Sequence, residues 1–185
     1  TQYLVTFDQT GLDATATDTV VTVNSAPKTF GDLPFTIWID SGSVITYSYN
    51  SIVSSSVSGK RFSLISVTGP TSPITVTSPV TVTGNYKIQY YLTLATNPPS
   101  ITTPSGEGWY DKGTYAPIST PEFVPGGSRY RFTGWTTSNM SEITNPASPS
   151  TTVLLDEPKT VTANYVIQYK VTFTHTGLTS DATGT

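Results

Sequence analysis

The chain has 185 residues, no Cys, one His and a formal net charge of −3, and only 11% of its residues are charged. Without Cys, disulfides and thiol chemistry are excluded, and the scattered Lys and Arg lack the clustering that binds nucleic acid or an anionic membrane. No apolar run is long enough to cross a bilayer, so we expect no direct membrane insertion. Aromatic residues make up 11% of the chain, more than a disordered tract carries. The hydroxyl-rich composition predicts a folded, extracellular, cell-surface protein.

The predicted elements are nearly all strands. At the start, Tyr3, Val5 and Phe7 alternate with their neighbours at the period of two that is typical of a strand. Segment 13–24 is the least regular and could hold a short helix. Beyond it, β-branched and aromatic runs are separated by clusters of Pro, Gly, Asn and Ser, as in an all-β protein.

One predicted strand is unusually long. From 80 to 94 the apolar and polar residues alternate with a single unbroken parity, and fifteen extended residues span about 50 Å at roughly 3.3 Å each. Segment 161–173 repeats this pattern. We therefore expect each strand to run from one folding unit directly into the next, without a flexible linker.

Internal repeats divide the chain. Residues 81–90 (TVTGNYKIQY) and 160–169 (TVTANYVIQY) agree at eight of ten positions, and 2–12 (QYLVTFDQTGL) resembles 168–178 (QYKVTFTHTGL). Such self-similarity indicates repeated structural units. The prediction is an all-β chain of two tandem small antiparallel β-sandwich domains, Ig-like or β-grasp-like, plus the first strand of a third. The boundaries are 1–87, 88–166 and 167–185.

The last segment carries three alternating apolar residues, Tyr169, Val171 and Phe173. Left alone, such a strand exposes apolar side chains and unpaired backbone groups. We expect it to be donated to, or docked on, a sheet edge of the second copy or of a neighbouring molecule. It is therefore the predicted segment for self-association, or for pairing with neighbouring repeats, by β-strand addition.

Candidate catalytic chemistry is sparse, and we predict no enzyme activity, no cofactor and no metal site. His175 is the single His, and Gln9 takes its place in the first copy. Asp40 and Asp111 recur in a W-x-D-x-G pattern, which favours a turn in which Asp bonds its own backbone and Gly adopts a positive φ. A calcium ion between the domains stays an alternative.

Three tryptophans have two interpretations. Trp38, Trp109 and Trp135 could fill the core of a thin sandwich, because large side chains are needed there. Alternatively, Trp109 and Trp135 could stack on a sugar, which would make cell-envelope glycans a partner. The pattern favours the core for Trp38 and Trp109 and leaves Trp135 open, since Val67 replaces it in the first copy.

Two covalent modifications are suggested by sequence. Asn139-Met140-Ser141 is an N-x-S sequon in a polar loop, where glycosylation is sterically allowed. Lys–Asn isopeptide crosslinks are the second, with the recurring Asn85 and Asn164 as candidates.

Three segments of the second copy form a recognisable pattern: Gly106–Thr114, Tyr130–Trp135 and Lys159–Tyr165. They resemble the divergent internalin-type B-repeat family of bacterial and archaeal surface proteins. The first copy departs from the pattern at Val67 and Gly84. The resemblance implies tandem arrays in envelope, filament or adhesin proteins and supplies no catalytic residues.

Together these patterns predict a structural repeat module of an S-layer, filament or adhesin stalk, which acts as a semi-rigid spacer or assembly unit. The alternative is a carbohydrate- or surface-binding module of an adhesin or secreted hydrolase.

Overall fold

The chain is all-β, as predicted. The computed structural model describes residues 1–126 and 128–177, and in these residues the only helices are two 3-10 turns at Phe30–Asp32 and Met140–Glu142. The strands of the first half are β1 Gln2–Thr10, β2 Thr19–Val23, β3 Ala26–Thr29, β4 Phe35–Asp40, β5 Val44–Ile45, β6 Tyr47–Tyr49, β7 Ile52–Ser54, β8 Lys60–Thr68 and β9 Ile74–Thr75. Those that follow are β10 Val80–Asn97, β11 Gly108–Asp111, β12 Thr114–Ser119, β13 Phe123–Val124, β14 Arg129–Thr136, β15 Ser150–Leu155 and β16 Lys159–Gln168.

Strand β10 is shared by the two halves. It runs unbroken for 18 residues, which confirms the single strand that the alternation predicts. Its first part pairs with β1 and β8, and its second part pairs with β11 and β16. One nine-stranded sheet therefore extends through both halves.

The same pairing pattern occurs in each half. In the first, β1 lies between β4 and β10, and β10 continues through β8 to β7. In the second, β10 lies between β11 and β16, and β16 continues through β14 to β13. The registers also agree, because Leu4 pairs with Trp38 where Tyr91 pairs with Trp109.

The large sheet is mixed rather than antiparallel. β1 runs parallel to β10, and β10 runs parallel to β16. The prediction of purely antiparallel sheets is thus wrong. Alternation within one strand indicates which residues face the core, but it does not indicate the direction of the neighbouring strand. The predicted short helix in 13–24 is also absent, since this segment forms a turn and then β2.

Two hydrophobic cores form, one in each half. The first combines Val5, Phe7 and Val82 of the large sheet with Val21 and Ile45 of the smaller sheets. The second is built in the same way, from Leu92, Phe132 and Val161 with Ile118 and Val153. Ile88 packs partly against both clusters, so the cores meet where β10 crosses from one half to the other.

The predicted docking of the C-terminal segment on an edge of the second half is not observed. Strand β16 ends at Gln168, so the predicted continuation of this strand to residue 173 is wrong. Residues 169–177 form no strand, and Tyr169, Val171 and Phe173 are exposed by 71%, 70% and 93%. Strand β1, which has a similar sequence, is held between β4 and β10, whereas residues 169–177 have no such pair of flanking strands among the described residues. Residues 178–185 of the predicted third copy lie outside the described part.

Candidate functional site: the junction between the halves

Backbone bonds tie the halves together beside β10. The N–H of Tyr91 donates to the carbonyl oxygen of Gly59 at 2.8 Å, and the N–H of Lys112 donates to that of Ile88 at 2.9 Å. The first bond joins β10 to a loop of the first half, and the second joins β10 to a loop of the second half. The crossing strand is therefore bonded to loops from both halves.

A chain of polar side chains also crosses the junction. The carboxylate of Asp111 accepts from Lys87 Nζ and from Gln89 Nε2, both at 2.7 Å. Gln89 Oε1 in turn accepts from Arg61 Nε at 2.8 Å. The bonds from Lys87 and Gln89 lower the pKa of Asp111. The sequence suggested that this carboxylate bonds the backbone of its own turn. Among the described contacts it instead bonds Lys87 and Gln89 across the junction.

Arg61 then stacks on an aromatic ring of the other half. Its guanidinium carbon lies 4.3 Å from the Trp109 ring centroid, and the Tyr91 ring meets Trp109 edge-on at 5.2 Å. Burial lowers the pKa of Arg61. A guanidinium on an indole face is attracted by the ring quadrupole. Trp109 is half-buried as a result, at the junction rather than in a core.

An open groove lies next to this stack. It has a volume of about 450 Å³ and is lined by Ser58, Gly59, Tyr91, Thr93, Trp109, Pro158, Lys159 and Thr160. The groove combines an aromatic pair with hydroxyl groups, which is a composition that can receive a sugar ring.

Of the other two tryptophans, Trp38 contradicts the favoured core interpretation, and Trp135, which the sequence left open, lies in the core. Trp38, expected in the core, is 62% exposed. Trp135, a candidate for ligand stacking, is 1% exposed, and its indole N–H donates to the carbonyl oxygen of Ser148 at 3.0 Å. Trp135 offers no face to a ligand, because its ring contacts Phe132 in the second core.

The turn glycines behave as predicted, but the preceding Asp residues do not. Gly42 and Gly113 adopt positive φ angles of 86° and 82°, which confirms the turns. The expected bond from an Asp side chain to the turn backbone is absent at Asp40 among the described contacts. Instead its carbonyl oxygen accepts from the N–H of Ser43.

The sequon residue Asn139 is exposed and caps a short 3-10 helix. Asn139 precedes the second 3-10 turn, and its side chain accepts from Ser141 and donates to Glu142 Oε1 at 2.9 Å. Asn85 and Asn164 bridge neighbouring strands, since their amides donate to Ser66, Thr68 and Thr136 hydroxyls. These bonds give the two recurring amides partners other than Lys.

A buried ion cluster was not found by sequence reasoning. The Lys159 side chain is 1% exposed, and its Nζ lies 2.6 Å from both Glu142 Oε2 and Asp156 Oδ1. Burial alone would lower the pKa of Lys159, but bonds to Asp156 and Glu142 outweigh it and the pKa is raised. The Lys159 ammonium group compensates the burial of the Glu142 carboxylate. No spacing rule predicts this cluster.

Other site chemistry is limited in the described residues. His175 is exposed and lies outside any strand. In 1–126 and 128–177 no group of three or more His, Cys, Asp or Glu residues could hold a metal ion. In the same range no helix has the length and hydropathy needed to span a membrane.

No protein-family model matches the chain, and neither a curated protein nor a solved structure is similar enough to count as a match. The resemblance to internalin-type B-repeats therefore stays a prediction.

Proposed function

We propose that the chain is a structural repeat module of an extracellular surface protein, such as an S-layer, filament or adhesin stalk. In this proposal the halves are tandem β-sandwich units, Ig-like or β-grasp-like, and the module acts as a semi-rigid spacer. The observation that carries it is the junction, where strand β10 continues from one half into the other and is bonded on both sides.

The energetics favour a restricted junction. A hinge at this point would break two crossing backbone bonds and the Lys87–Asp111–Gln89–Arg61 chain. Each hydrogen bond contributes about 0.5–1.5 kcal/mol net, and the stacked Arg61 adds about 0.5–1 kcal/mol. The sum is several kcal/mol, which is enough to make bent arrangements rare. Such stiffness suits a spacer and is unnecessary in a single binding domain.

Composition supports the extracellular assignment. With 11% charged residues and no Cys, the surface is rich in uncharged hydroxyl groups. Such a surface changes little with the pH and salt of the medium, because few groups titrate or are screened.

Spin-label distance measurement tests the stiffness. Because the chain has no Cys, Thr71→Cys and Ser138→Cys place one label on an exposed loop of each half. We expect a narrow distance distribution that broadens with Arg61→Ala. The matched control is Arg129→Ala, since Arg129 also bonds a Gln at 2.8 Å but lies away from the junction. A broad distribution in the unsubstituted chain would contradict the spacer proposal.

The groove favours a second candidate, a carbohydrate-binding module. Trp109 and Tyr91 would supply the stacking faces and the Thr residues the polar contacts. If this is correct, Trp109→Ala abolishes glycan-array binding, whereas Arg61→Ala, which loosens the junction but keeps the ring, preserves it. Equal loss in both variants, or no binding by the unsubstituted chain, would contradict a stacking site.

A further inference from the structure

The two ends of the chain carry the two complementary sides of the internal junction. We propose that the C-terminal end surface (Arg129 and Gln168) of one copy of the chain docks on the N-terminal end surface (Trp38 and Asp40, beside Gln2) of a second copy, where residues 168–177 replace residues 2–11. The contact would repeat the arrangement of Arg61, Gln89, Trp109 and Asp111. This proposal rests on the proposed function as a repeat module.

The N-terminal end surface matches one side of the junction. Gln2 pairs with Asp40 in the register in which Gln89 pairs with Asp111. Trp38 stands two residues before Asp40 on β4, as Trp109 stands before Asp111 on β11. An Arg covers Trp109, whereas Trp38 is 62% exposed. Because Arg61 covers the equivalent Trp109, the exposed indole of Trp38 indicates a surface that a second arginine can cover.

The C-terminal end surface matches the other side. Arg129 pairs with Gln168 and donates to its Oε1 at 2.8 Å, as Arg61 does to Gln89. Next to this pair is an open cleft of about 490 Å³, lined by Gly126, Ser128, Arg129, Gln168, Tyr169 and Lys170. By the repeat alignment these positions correspond to 58, 60 and 61 of the first half and to 89–91 of strand β10 at the internal junction. At the internal junction, Trp109 contacts two of these positions, Arg61 and Tyr91.

The connecting strand fixes how the second copy attaches. At the internal junction a single Gln, Gln89, lies between the Arg and the Asp. Gln168 of one copy therefore takes the position of Gln2 in the second copy, and residues 168–177 replace residues 2–11 as the first strand of that copy. Segments 2–12 and 168–178 agree at eight of eleven positions. The exposed Val171 and Phe173 would take the places of Val5 and Phe7, which are fully buried.

Two differences make this contact weaker than the internal one. Val166 stands where Lys87 stands in the first half, so Asp40 gains the Gln amide but no ammonium group. Arg129 also lies over Phe123, 4.5 Å from its ring centroid. This contact uses one face of the guanidinium and leaves the other face for Trp38.

A covalent tandem tests the proposal. Residues 1–167 are joined to 2–185 of a second copy, so that one Gln replaces Gln168 and Gln2. Trp38→Phe in the first copy makes the second copy's Trp38 the only one present. Hydroxyl-radical footprinting with mass spectrometry then measures its oxidation. We expect docking to at least halve the rate found for Trp38 in the single chain.

Two matched variants of the tandem separate docking from a general change. Arg129→Ala in the first copy should restore the single-chain rate, and Arg61→Ala in the first copy should not, because it acts at the internal junction. Equal oxidation of Trp38 in tandem and single chain overturns the docking proposal. Spin labels across the internal junction of the same tandem separate the two proposals. A narrow distance distribution together with an unprotected Trp38 refutes the docking proposal and leaves the spacer proposal standing. A broad distance distribution refutes the spacer proposal.

Discussion

Replacement of Gly84 by Ala should strain the first core. Gly84 lies in β10, and a Cβ built on it would clash with Tyr49 Cδ1 and would lie 2.6 Å from Tyr49 Cε1. Its φ lies outside the left-handed region, so the backbone accepts Ala and the cost is steric. The Tyr49 ring is 8% exposed and cannot move freely, because its hydroxyl contacts the carbonyl oxygens of Asp8 at 2.7 Å and Val82 at 3.0 Å.

The cost follows from the displacement that is needed. Ordinary contact begins near 3.4 Å, so the ring must move by about 1 Å, and overpacking of this kind costs about 1–3 kcal/mol. Weakening the hydroxyl contact adds about 0.5–1.5 kcal/mol. We expect the free energy of unfolding of the first half to fall by about 1.5 kcal/mol, the sum of the low ends of the two ranges.

The second half supplies the matched control. The repeat alignment places Ala163 at the position of Gly84 and Thr120 at the position of Tyr49. Equivalent bonds in the two halves support this alignment: the Tyr86 hydroxyl donates to the carbonyl oxygen of Asn50, and the Tyr165 hydroxyl donates to that of Pro121. Ala163→Gly should cost only about 1 kcal/mol, for the lost methyl group.

Hydrogen-exchange mass spectrometry measures both halves in one molecule. In Gly84→Ala, peptides from β6 and β8 should exchange faster, whereas those from β12 and β15 should change little. Unchanged protection of the first half, or an equal loss in both halves, would refute the steric reasoning.

Three further predictions concern ion pairs and the second core. Lys159→Met should lower the free energy of unfolding, measured with urea, by about 3 kcal/mol, because it leaves the Glu142 carboxylate buried without its cation. A decrease of less than about 1 kcal/mol would contradict a buried ion pair. Burial alone raises the pKa of Asp13, but hydrogen bonds, chiefly from a lysine, lower it from 3.8 to about 2. The ionised form therefore stabilises the fold above about pH 4, and this contribution is lost as the pH falls towards 2. It amounts to no more than about 1 kcal/mol, because the side chain is half-exposed, and Asp13→Asn should remove this part of an acid titration of stability. Trp135→Phe should cost about 2 kcal/mol through lost volume and a lost hydrogen bond, while Trp38→Phe should leave the unfolding midpoint unchanged; equal effects would contradict their placement.

Features set by neighbouring residues could be predicted from the sequence. Alternation at period two gave the strands, and its constant parity from 80 to 94 gave the continuous β10. The turns at Gly42 and Gly113 were predictable because glycine is the residue that adopts positive φ without steric cost. Internal repeats predicted which segments correspond, and the strand registers agree with that correspondence.

Tertiary structure decided which aromatic residues are covered. Trp38 and Trp109 share a motif and a register, yet only Trp109 has an Arg from another unit over its ring. Whether Trp135 packs inward depends on the strands beside it, and Lys159 is buried because distant carboxylates converge on it. Periodicity describes the two faces of one strand, whereas burial depends on what is packed against each face. The first is a property of adjacent residues, and the second exists only once the chain has folded.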